Sequence, residues 1–213
     1  MSPLLTTRRI SSEQAGSNTL MIVLHGLGDS LEGYLWLPEA LGLPALNYLL
    51  VNAPDPYGDG YSWYDFERDP TPGVDRSREL LCQLIAKEVS EGFPVHRMFL
   101  FGFSQGCLMS IEVGVRYPEI FAGIIGISGY VHDVDRLLTA RSPVAGDQRF
   151  LVTHGTQDPL LPIDQVRSQF LRLAQAGLTL DWVEYPKAHT IAGRVEINRI
   201  RAFVEERLRM APE

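Results

Sequence analysis

The residues most able to do chemistry lie in the segment from 98 to 106, which reads MFLFGFSQG. This apolar run ends in a Gly-x-Ser-x-Gly pattern centred on Ser104. Between a buried strand and a helix, the pattern is typical of a nucleophile elbow, a sharp turn that holds a serine hydroxyl above the edge of a sheet. Glycines on both sides permit such a turn because they carry no Cβ. We therefore expect Ser104 to be a nucleophile; the alternative is a tight turn with an incidental serine.

A serine hydroxyl is a weak nucleophile until a histidine accepts its proton, and that histidine needs a carboxylate to orient it. In α/β-hydrolases the three residues follow the chain order serine, acid, histidine. Four histidines precede Ser104 or else precede or adjoin the acid candidates: His25, His96, His132 and His154. His189 lies downstream of every acid candidate and directly follows the last predicted strand. We therefore predict that His189 is the general base.

Asp158 is the predicted acid because it closely follows the apolar run 150–153, which places its carboxylate at the carboxyl end of a strand. Asp147 precedes that strand and would lie at the opposite edge of the sheet. Asp164 begins a segment of helical period, where capping or the helix dipole explains an acidic residue. The alternative for Asp158 is a purely structural turn with Pro159.

The tetrahedral intermediate of acyl transfer needs hydrogen-bond donors aimed at its oxyanion. The backbone N–H of Gln105, directly after the nucleophile, is the first predicted donor. The glycine-rich turn 25–29 follows the first buried strand and reads HGLGD. Leu27 is the second predicted donor by its position in that turn. We expect His25 to be structural, tying the turn through its ring nitrogens, because it lies outside the required chain order.

Apolar runs of strand length alternate along the chain with segments of helical period. The predicted strands are 19–24, 48–51, 98–103, 121–127, 150–153 and 178–185. The predicted helices are 77–89, 163–174 and a last amphipathic helix with Ile197, Ile200, Phe203, Val204 and Leu208 on one face. This alternation predicts the α/β class, and with the elbow it predicts an α/β-hydrolase fold, a mostly parallel sheet flanked by helices on both faces.

The chain has 213 residues, of which 45% are hydrophobic, enough for one large core. We expect one α/β-hydrolase domain over residues 1–213 without a cap domain, because the sheet and its helices use nearly all of the chain. The net charge of −7 argues against nucleic acid or an anionic membrane as the main partner. No apolar stretch follows Arg8 and Arg9, and no apolar run is long enough to cross a bilayer, so we expect a cytoplasmic protein.

The sequence predicts no cofactor and no metal site. Cys82 and Cys107 fall in predicted helices among apolar neighbours, which is typical of buried free thiols; the alternative is a disulfide. Neither cysteine belongs to a zinc-type spacing. The chain also has neither a His-Glu-x-x-His helix nor a glycine-rich phosphate loop.

The longest segment predicted to be irregular runs from 52 to 72. Long loops in compact domains tend to be functional, and this one is rich in aromatic residues. They are Tyr57, Tyr61, Trp63, Tyr64 and Phe66. We expect the segment to form a wall of a binding site; the alternative is that these rings cover the edge of the sheet.

Five sequence blocks together resemble the acyl-protein thioesterase and small carboxylesterase family, also called phospholipase/carboxylesterases. In chain order they are HGLGD at 25–29, SWYD at 62–65, GFSQG at 102–106, HGTQDPLLP at 154–162 and the final His189. The resemblance spans about residues 20 to 190. It implies Ser104, Asp158 and His189 as a catalytic triad, with Leu27 and Gln105 as oxyanion donors.

The chain departs from the family pattern at two places. Cys107 stands where the family usually has a second glycine after the elbow, where it could tighten the packing beside the nucleophile or respond to oxidants. The loop between Pro54 and Trp63 looks shorter than in typical members, in which it helps to shape the acyl groove. The preferred acyl-chain length therefore does not follow from the resemblance.

Together these observations predict a lidless serine hydrolase that cleaves carboxylic esters or thioesters through an acyl-enzyme on Ser104. Its partner would be a small-molecule ester, an acyl thioester or an acylated protein. Trp63, Leu27 and Leu160 are expected to form an apolar wall for the acyl chain. Two alternatives remain: an amidase, peptidase or lactonase with the same triad, and a non-catalytic ligand-binding protein on the same scaffold. No residue pattern demands an oligomer.

Overall fold

A computed structural model describes residues 5–210 of the chain. In that range the strands are β1 (Thr7–Ile10), β2 (Thr19–Leu24), β3 (Leu46–Val51), β4 (Asp55–Tyr57), β5 (Gly60–Ser62), β6 (Met98–Phe103), β7 (Gly123–Ile127), β8 (Arg149–Gly155) and β9 (Thr179–Tyr185). The helices are α1 (Leu37–Leu41), α2 (Thr71–Ser90), α3 (Gln105–Arg116), α4 (Val134–Thr139), α5 (Ile163–Gln175) and α6 (Gly193–Met210). Three short 3₁₀ turns complete the regular structure of these residues.

Seven strands form one sheet in the order β1-β3-β2-β6-β7-β8-β9, and β4 pairs with β5 in a separate hairpin. Every strand pair in the large sheet is parallel except β1 with β3, which is antiparallel. The predicted α/β class and the mostly parallel sheet are confirmed. In such sheets ligands bind beyond the carboxyl ends of the strands. The loops after the parallel strands β2, β6, β8 and β9 leave the sheet at that edge, and a site is therefore expected there.

The central strands β2, β3, β6 and β7 have no polar face because helices cover the sheet on both sides. Along β2, Leu20, Ile22 and Leu24 pack into one core layer, whereas Met21 and Val23 pack into the other. This alternation follows from the two-residue period of a strand. Helices α2, α3, α4 and α5 contribute to the first layer, and α1 and α6 contribute to the second. The apolar stripe expected on the last helix lies in this second layer.

The predicted elements are largely confirmed, with differences at their ends. The strands at 19–24 and 98–103 have the predicted bounds, and α5 extends one residue beyond its predicted end. Helix α2 begins at Thr71, six residues before the predicted start, because Pro72 is compatible with the first turn of a helix. The short elements β1, α1 and α4 were not predicted from the sequence.

Replacing Phe101 with alanine tests the second core layer. Phe101 is fully buried and its ring contacts Tyr34 edge-on at 6.0 Å between centroids. We expect the free energy of unfolding, measured by urea denaturation, to fall by about 3–5 kcal/mol because the change leaves a cavity. Phe66→Ala is the control, since Phe66 is 47% exposed, and should cost much less. Equal losses in the two variants would contradict the assignment of the core.

Candidate active site

Ser104 occupies a strained backbone position between β6 and α3. Its φ is 54° and its ψ is −115°, an unusual conformation for a residue with a side chain. The Ser104 amide donates a hydrogen bond of 2.9 Å to the carbonyl of Ile127, the last residue of β7. The predicted sharp turn from strand to helix is therefore present, and its backbone is anchored to the neighbouring strand.

The two glycines of the elbow are required by close backbone contacts. A Cβ added at Gly102 would lie 2.1 Å from the carbonyl oxygen of Gly106. A Cβ added at Gly106 would lie 2.1 Å from the carbonyl oxygen of Leu24, at the end of β2. Any side chain at either position would push the start of α3 away from the sheet.

Ser104, His189 and Asp158 form one chain of hydrogen bonds. The Nε2 atom of His189 lies 2.9 Å from the hydroxyl of Ser104, and its Nδ1 atom lies 2.7 Å from Oδ2 of Asp158. An ionised carboxylate can only accept, so Nδ1 carries the proton and Nε2 is free to accept from the serine. This is the geometry of a nucleophile, a base and an orienting acid.

Asp158 is buried and ionised. Its Oδ1 atom accepts hydrogen bonds from the amides of Leu160 and Leu161 at 2.9 and 3.0 Å. Burial acts to raise the pKa of the Asp158 carboxyl, but the hydrogen bonds from these amides and from His189 outweigh it and leave the pKa below its ordinary value. The carboxylate therefore keeps its charge at neutral pH.

The loops that carry Asp158 and His189 follow the adjacent parallel strands β8 and β9. They are joined by backbone hydrogen bonds from Thr156 to Tyr185 at 2.8 Å and from Gln157 to Lys187 at 3.1 Å. Gly155 permits this contact, because a Cβ there would lie 2.3 Å from the carbonyl oxygen of Lys187. Asp158 and His189, which are 31 positions apart in the sequence, are thus held within hydrogen-bonding distance of each other.

The amides of Leu27 and Gln105 have no hydrogen-bond acceptor among residues 5–210. Gln105 is the first residue of α3, where backbone N–H groups have no partner within the helix. The turn with Leu27 lies against the elbow, since a Cβ at Gly26 would lie 3.3 Å from the Cβ of Ser104. Both predicted donors therefore lie close to the serine with their N–H groups unused.

His25 is structural, as predicted. It is fully buried, its Nδ1 atom is 2.6 Å from the carbonyl of Gly26, and its Nε2 atom accepts from the amide of Ala53 at 3.1 Å. Burial lowers the pKa of His25, against the opposing effect of the Gly26 carbonyl. The neutral ring ties the turn after β2 to the segment after β3.

The side chain of Gln105 has a role that the sequence analysis missed. Its Oε1 atom accepts from the Trp63 amide at 2.9 Å and from the Ser62 hydroxyl at 3.2 Å, and its Nε2 atom donates to the carbonyl of Tyr64 at 3.1 Å. The residue after the nucleophile therefore fastens the segment after β5 to the elbow. The signal available in the sequence was a long polar side chain at the start of a helix whose first turns are otherwise largely apolar.

Trp63 does not form the wall that the sequence predicts. Its side chain is fully buried in the first core layer, and the indole N–H donates to the carbonyl of His25 at 2.9 Å. With no exposed surface it supports the glycine-rich turn 25–29, the predicted oxyanion turn, from the core side. Of the other two residues expected in this wall, Leu27 is half-buried and Leu160 is 68% exposed.

The segment 52–72 is more regular than predicted, because it contains the β4–β5 hairpin and the start of α2. The hairpin is joined to the oxyanion turn by hydrogen bonds between Gly28 and Tyr61 and between Tyr61 and Asp29, both 2.9 Å. Its outer side borders a hollow of about 350 Å³ lined by Asp55, Pro56, Tyr57, Ser62, Asp65, Phe66 and Glu67. Tyr57 and Phe66 are the exposed aromatic residues of the segment.

The remaining histidines and acids take no part in the hydrogen-bonded chain. His154 is fully buried, and its Nε2 atom donates to the carbonyl of Leu161 at 2.9 Å while lying 3.6 Å from the Asp158 carboxylate. His132 lies 2.9 Å from the hydroxyl of Thr71. Asp164 pairs with Arg167 on the surface of α5. His154 therefore packs against Asp158 in the interior, whereas His132 contacts the first residue of α2 and Asp164 lies on the surface of α5.

Both cysteines are free thiols. Cys107 is fully buried, and burial raises the pKa of its thiol to about 12. It packs against the strand β7, since a Cβ at Gly126 would lie 2.6 Å from its Sγ atom. Cys82 is half-buried, not fully buried. Of the two roles considered for Cys107, packing beside the nucleophile agrees with this environment.

Across residues 5–210, no group of three or more His, Cys, Asp or Glu side chains is arranged to hold a metal ion. In the same range no helix is both long and apolar enough to span a bilayer.

The sequence profile of the phospholipase/carboxylesterase family matches residues 5–208. The chain is 30% identical to an acyl-protein thioesterase 1 of Yarrowia lipolytica over 94% of this chain and 96% of that protein. It is 34% identical to an acyl-protein thioesterase 1 of Schizosaccharomyces pombe over 67% of this chain and 69% of that protein. Among solved structures, esterase PE8 superposes with a TM-score of 0.86 at 25% identity over 96% of this chain and 99% of that chain.

Replacing Gly106 with alanine tests the steric basis of the elbow. The added Cβ would collide with the Leu24 carbonyl, so we expect a loss of about 1–3 kcal/mol or more in the free energy of unfolding, measured by urea denaturation. Gly146→Ala is the control, because a Cβ there meets nothing nearer than 3.3 Å. A Gly106→Ala variant as stable as the control would refute the close approach of α3 to β2.

Proposed function

Because the chain belongs to the phospholipase/carboxylesterase family, we propose that it is a serine hydrolase that cleaves carboxylic esters and thioesters through an acyl-enzyme on Ser104. The observation that carries this proposal is the hydrogen-bonded chain of Ser104, His189 and Asp158, with separations of 2.9 and 2.7 Å. The acyl-protein thioesterase names of the two curated relatives support ester and thioester bonds as the target.

In the acylation step Ser104 Oγ attacks the substrate carbonyl while His189 Nε2 accepts its proton. The imidazolium that forms is stabilised by the ionised Asp158, which remains unprotonated. The carbonyl oxygen becomes an oxyanion, and the free N–H groups of Leu27 and Gln105 donate to it. His189 then gives its proton to the departing alkoxide or thiolate as the carbon–oxygen or carbon–sulfur bond breaks.

In the deacylation step the same groups act on water. His189 accepts a proton from a water molecule, and the resulting hydroxide attacks the acyl carbonyl bound to Ser104. Collapse of the second tetrahedral intermediate releases the carboxylic acid and returns the proton to the serine. One base thus serves both steps, and the oxyanion donors are used twice.

The surroundings of Ser104 favour an acyl chain that lies on the surface of the protein. Leu27 and the largely exposed Leu160 offer apolar contacts on the loops that carry an oxyanion donor and the acid. The segment 52–72 beside the oxyanion turn adds exposed Tyr57 on the hairpin and Phe66 after it. An open site of this kind accommodates the acyl group of a small ester, an acyl thioester or an acylated protein.

Ser104→Ala should lower kcat by a factor on the order of 10⁴ to 10⁶ because the nucleophile is removed. The fold should survive, since the change deletes one half-buried hydroxyl whose hydrogen-bond partner is His189. The measurement uses p-nitrophenyl esters from acetyl to palmitoyl and the matching acyl thioesters. The ratio of kcat/KM for ester and thioester of equal chain length separates carboxylesterase from thioesterase preference.

The control for this experiment is Ser168→Ala, which removes an exposed hydroxyl on α5 and should leave turnover unchanged. Substantial ester or thioester hydrolysis by Ser104→Ala would exclude the acyl-enzyme. Absence of any hydrolysis by the wild type would move the proposal to the amidase, lactonase or binding alternatives.

The pH profile of kcat/KM should show one protonation on its acid side, with a tenfold loss per pH unit. His189 can accept a proton only when its ring is neutral, so acidification removes the base. The pKa of Asp158 is held below its ordinary value, so its carboxylate keeps its charge over the range measured and adds no second slope. Initial rates with a soluble ester between about pH 4 and 8 test this. A hundredfold loss per unit in that range would show that both groups titrate together.

A further inference from the structure

A buried carboxylate lies behind the candidate site. Glu196, on the first turns of α6, has no exposed surface. It receives three hydrogen bonds, each of 2.5 Å: Oε1 from the Lys187 ammonium and the Thr153 hydroxyl, and Oε2 from the Ala192 amide. Glu196 and its three donors are not members of the hydrogen-bonded chain of Ser104, His189 and Asp158.

Two of the three donors lie on either side of His189 in the same loop. Lys187 is two residues before the histidine and Ala192 is three residues after it. The third donor, Thr153, lies on β8, the strand that leads to Asp158. One carboxylate therefore holds both ends of the His189 loop and attaches them to the strand that carries the acid.

Between its two contacts with Glu196 the loop is partly exposed. Ala188 and Thr190 are exposed, and the backbone bond from Thr190 to Ala188 at 2.8 Å lies within the loop itself. The His189 ring packs against Phe103 with 5.1 Å between ring centres. The backbone bond from Gln157 to Lys187 and the packing of Ile191 against the second core layer also hold this loop. The contacts with Glu196 add buried polar ties at its two ends.

The pair of Lys187 and Glu196 is charged and almost wholly buried, with side-chain exposures of 3% and 0%. Burial lowers the pKa of Lys187, and the charge and hydrogen bond of Glu196 act in the opposite direction. Removing one member of such a pair leaves the other charge buried without compensation. The geometry of the loop is thus tied to the presence of both charges.

We propose that Glu196 is a positioning residue for His189. By accepting from Lys187, Thr153 and Ala192 it keeps the imidazole within hydrogen-bonding distance of Ser104 and Asp158. This inference rests on the proposed function for its effect on turnover, but the geometry it explains does not depend on the substrate.

The experiment compares Glu196→Gln with Glu88→Gln as a matched control. Glu88 is also a buried carboxylate paired with a basic residue, Arg9, and has a side-chain exposure of 1%. It lies near the end of α2, which leads to the amino end of β6, at the edge of the sheet opposite Ser104. Each change removes one buried negative charge, but only the charge of Glu196 lies next to the His189 loop.

Four readouts are taken on the full-length protein. They are kcat and KM for a p-nitrophenyl ester, the second-order rate of Ser104 labelling by a fluorophosphonate, the melting temperature, and the low-field proton resonance of His189 Nδ1–H. The resonance is identified by its loss in His189→Gln. It reports the hydrogen bond to Asp158 whether or not any ester is cleaved.

For Glu196→Gln we expect kcat and the labelling rate to fall by about 10²-fold with KM nearly unchanged, since a small displacement of a catalytic group costs that much. The low-field resonance should weaken or disappear at a temperature at which the protein remains folded. Glu88→Gln should lower the melting temperature and keep both the resonance and the labelling rate. Equal effects of the two variants on rate and resonance would overturn the inference.

A second variant covers the case in which Glu196→Gln does not fold. Lys187→Met combined with Glu196→Gln removes both charges and avoids an unpaired buried ion. A folded double variant with a slow labelling rate and a weak resonance supports the positioning role, and one with wild-type values overturns it. If Ser104→Ala keeps hydrolytic activity, the proposed function fails, whereas the resonance still decides whether Glu196 holds the imidazole.

Discussion

The candidate site depends on a backbone turn that tolerates no side chain at either of its glycines. The carbonyl of Leu24 occupies the place of a Cβ at Gly106, and the carbonyl of Gly106 occupies the place of a Cβ at Gly102. These contacts bring the start of α3 against the ends of β2 and β6, and they leave Ser104 in a strained conformation at the sheet edge. The amide of Gln105 and the turn with Leu27 meet beside the serine for the same reason.

Around this turn, loops that are distant in the sequence are joined by buried polar groups. His25 ties the oxyanion turn to the segment after β3, and the Gln105 side chain ties the hairpin region to the elbow. Glu196 joins both ends of the His189 loop to β8. Each group has its hydrogen-bonding atoms satisfied in the interior, where an unpaired polar atom would be costly. The site is therefore held by directional contacts on a rigid parallel sheet.

Most of the elements could be predicted from local sequence patterns, because the spacing of apolar residues and the positions of prolines influence structure over only a few residues. The strand at 98–103, the elbow and the amphipathic stripe of α6 are of this kind. The short strand β1 escaped prediction because its half-exposed residues carry no clear alternation and its pairing partner is β3, some 40 residues away. Trp63 was assigned to a binding wall because an aromatic residue in a loop has the same sequence signature whether it is buried or exposed.

The sequence by itself determined the class of fold, the chemical types of the candidate catalytic groups and their order along the chain, since these follow from local pattern and from the chemistry of serine, histidine and carboxylate. Only the tertiary structure decided that His189 lies 2.9 Å from Ser104, that Trp63 is buried beneath the oxyanion turn, and that Lys187 pairs with Glu196. Those features depend on contacts between separate strands and loops. No local pattern encodes such distances, because they arise only when the sheet brings the ends of its strands together.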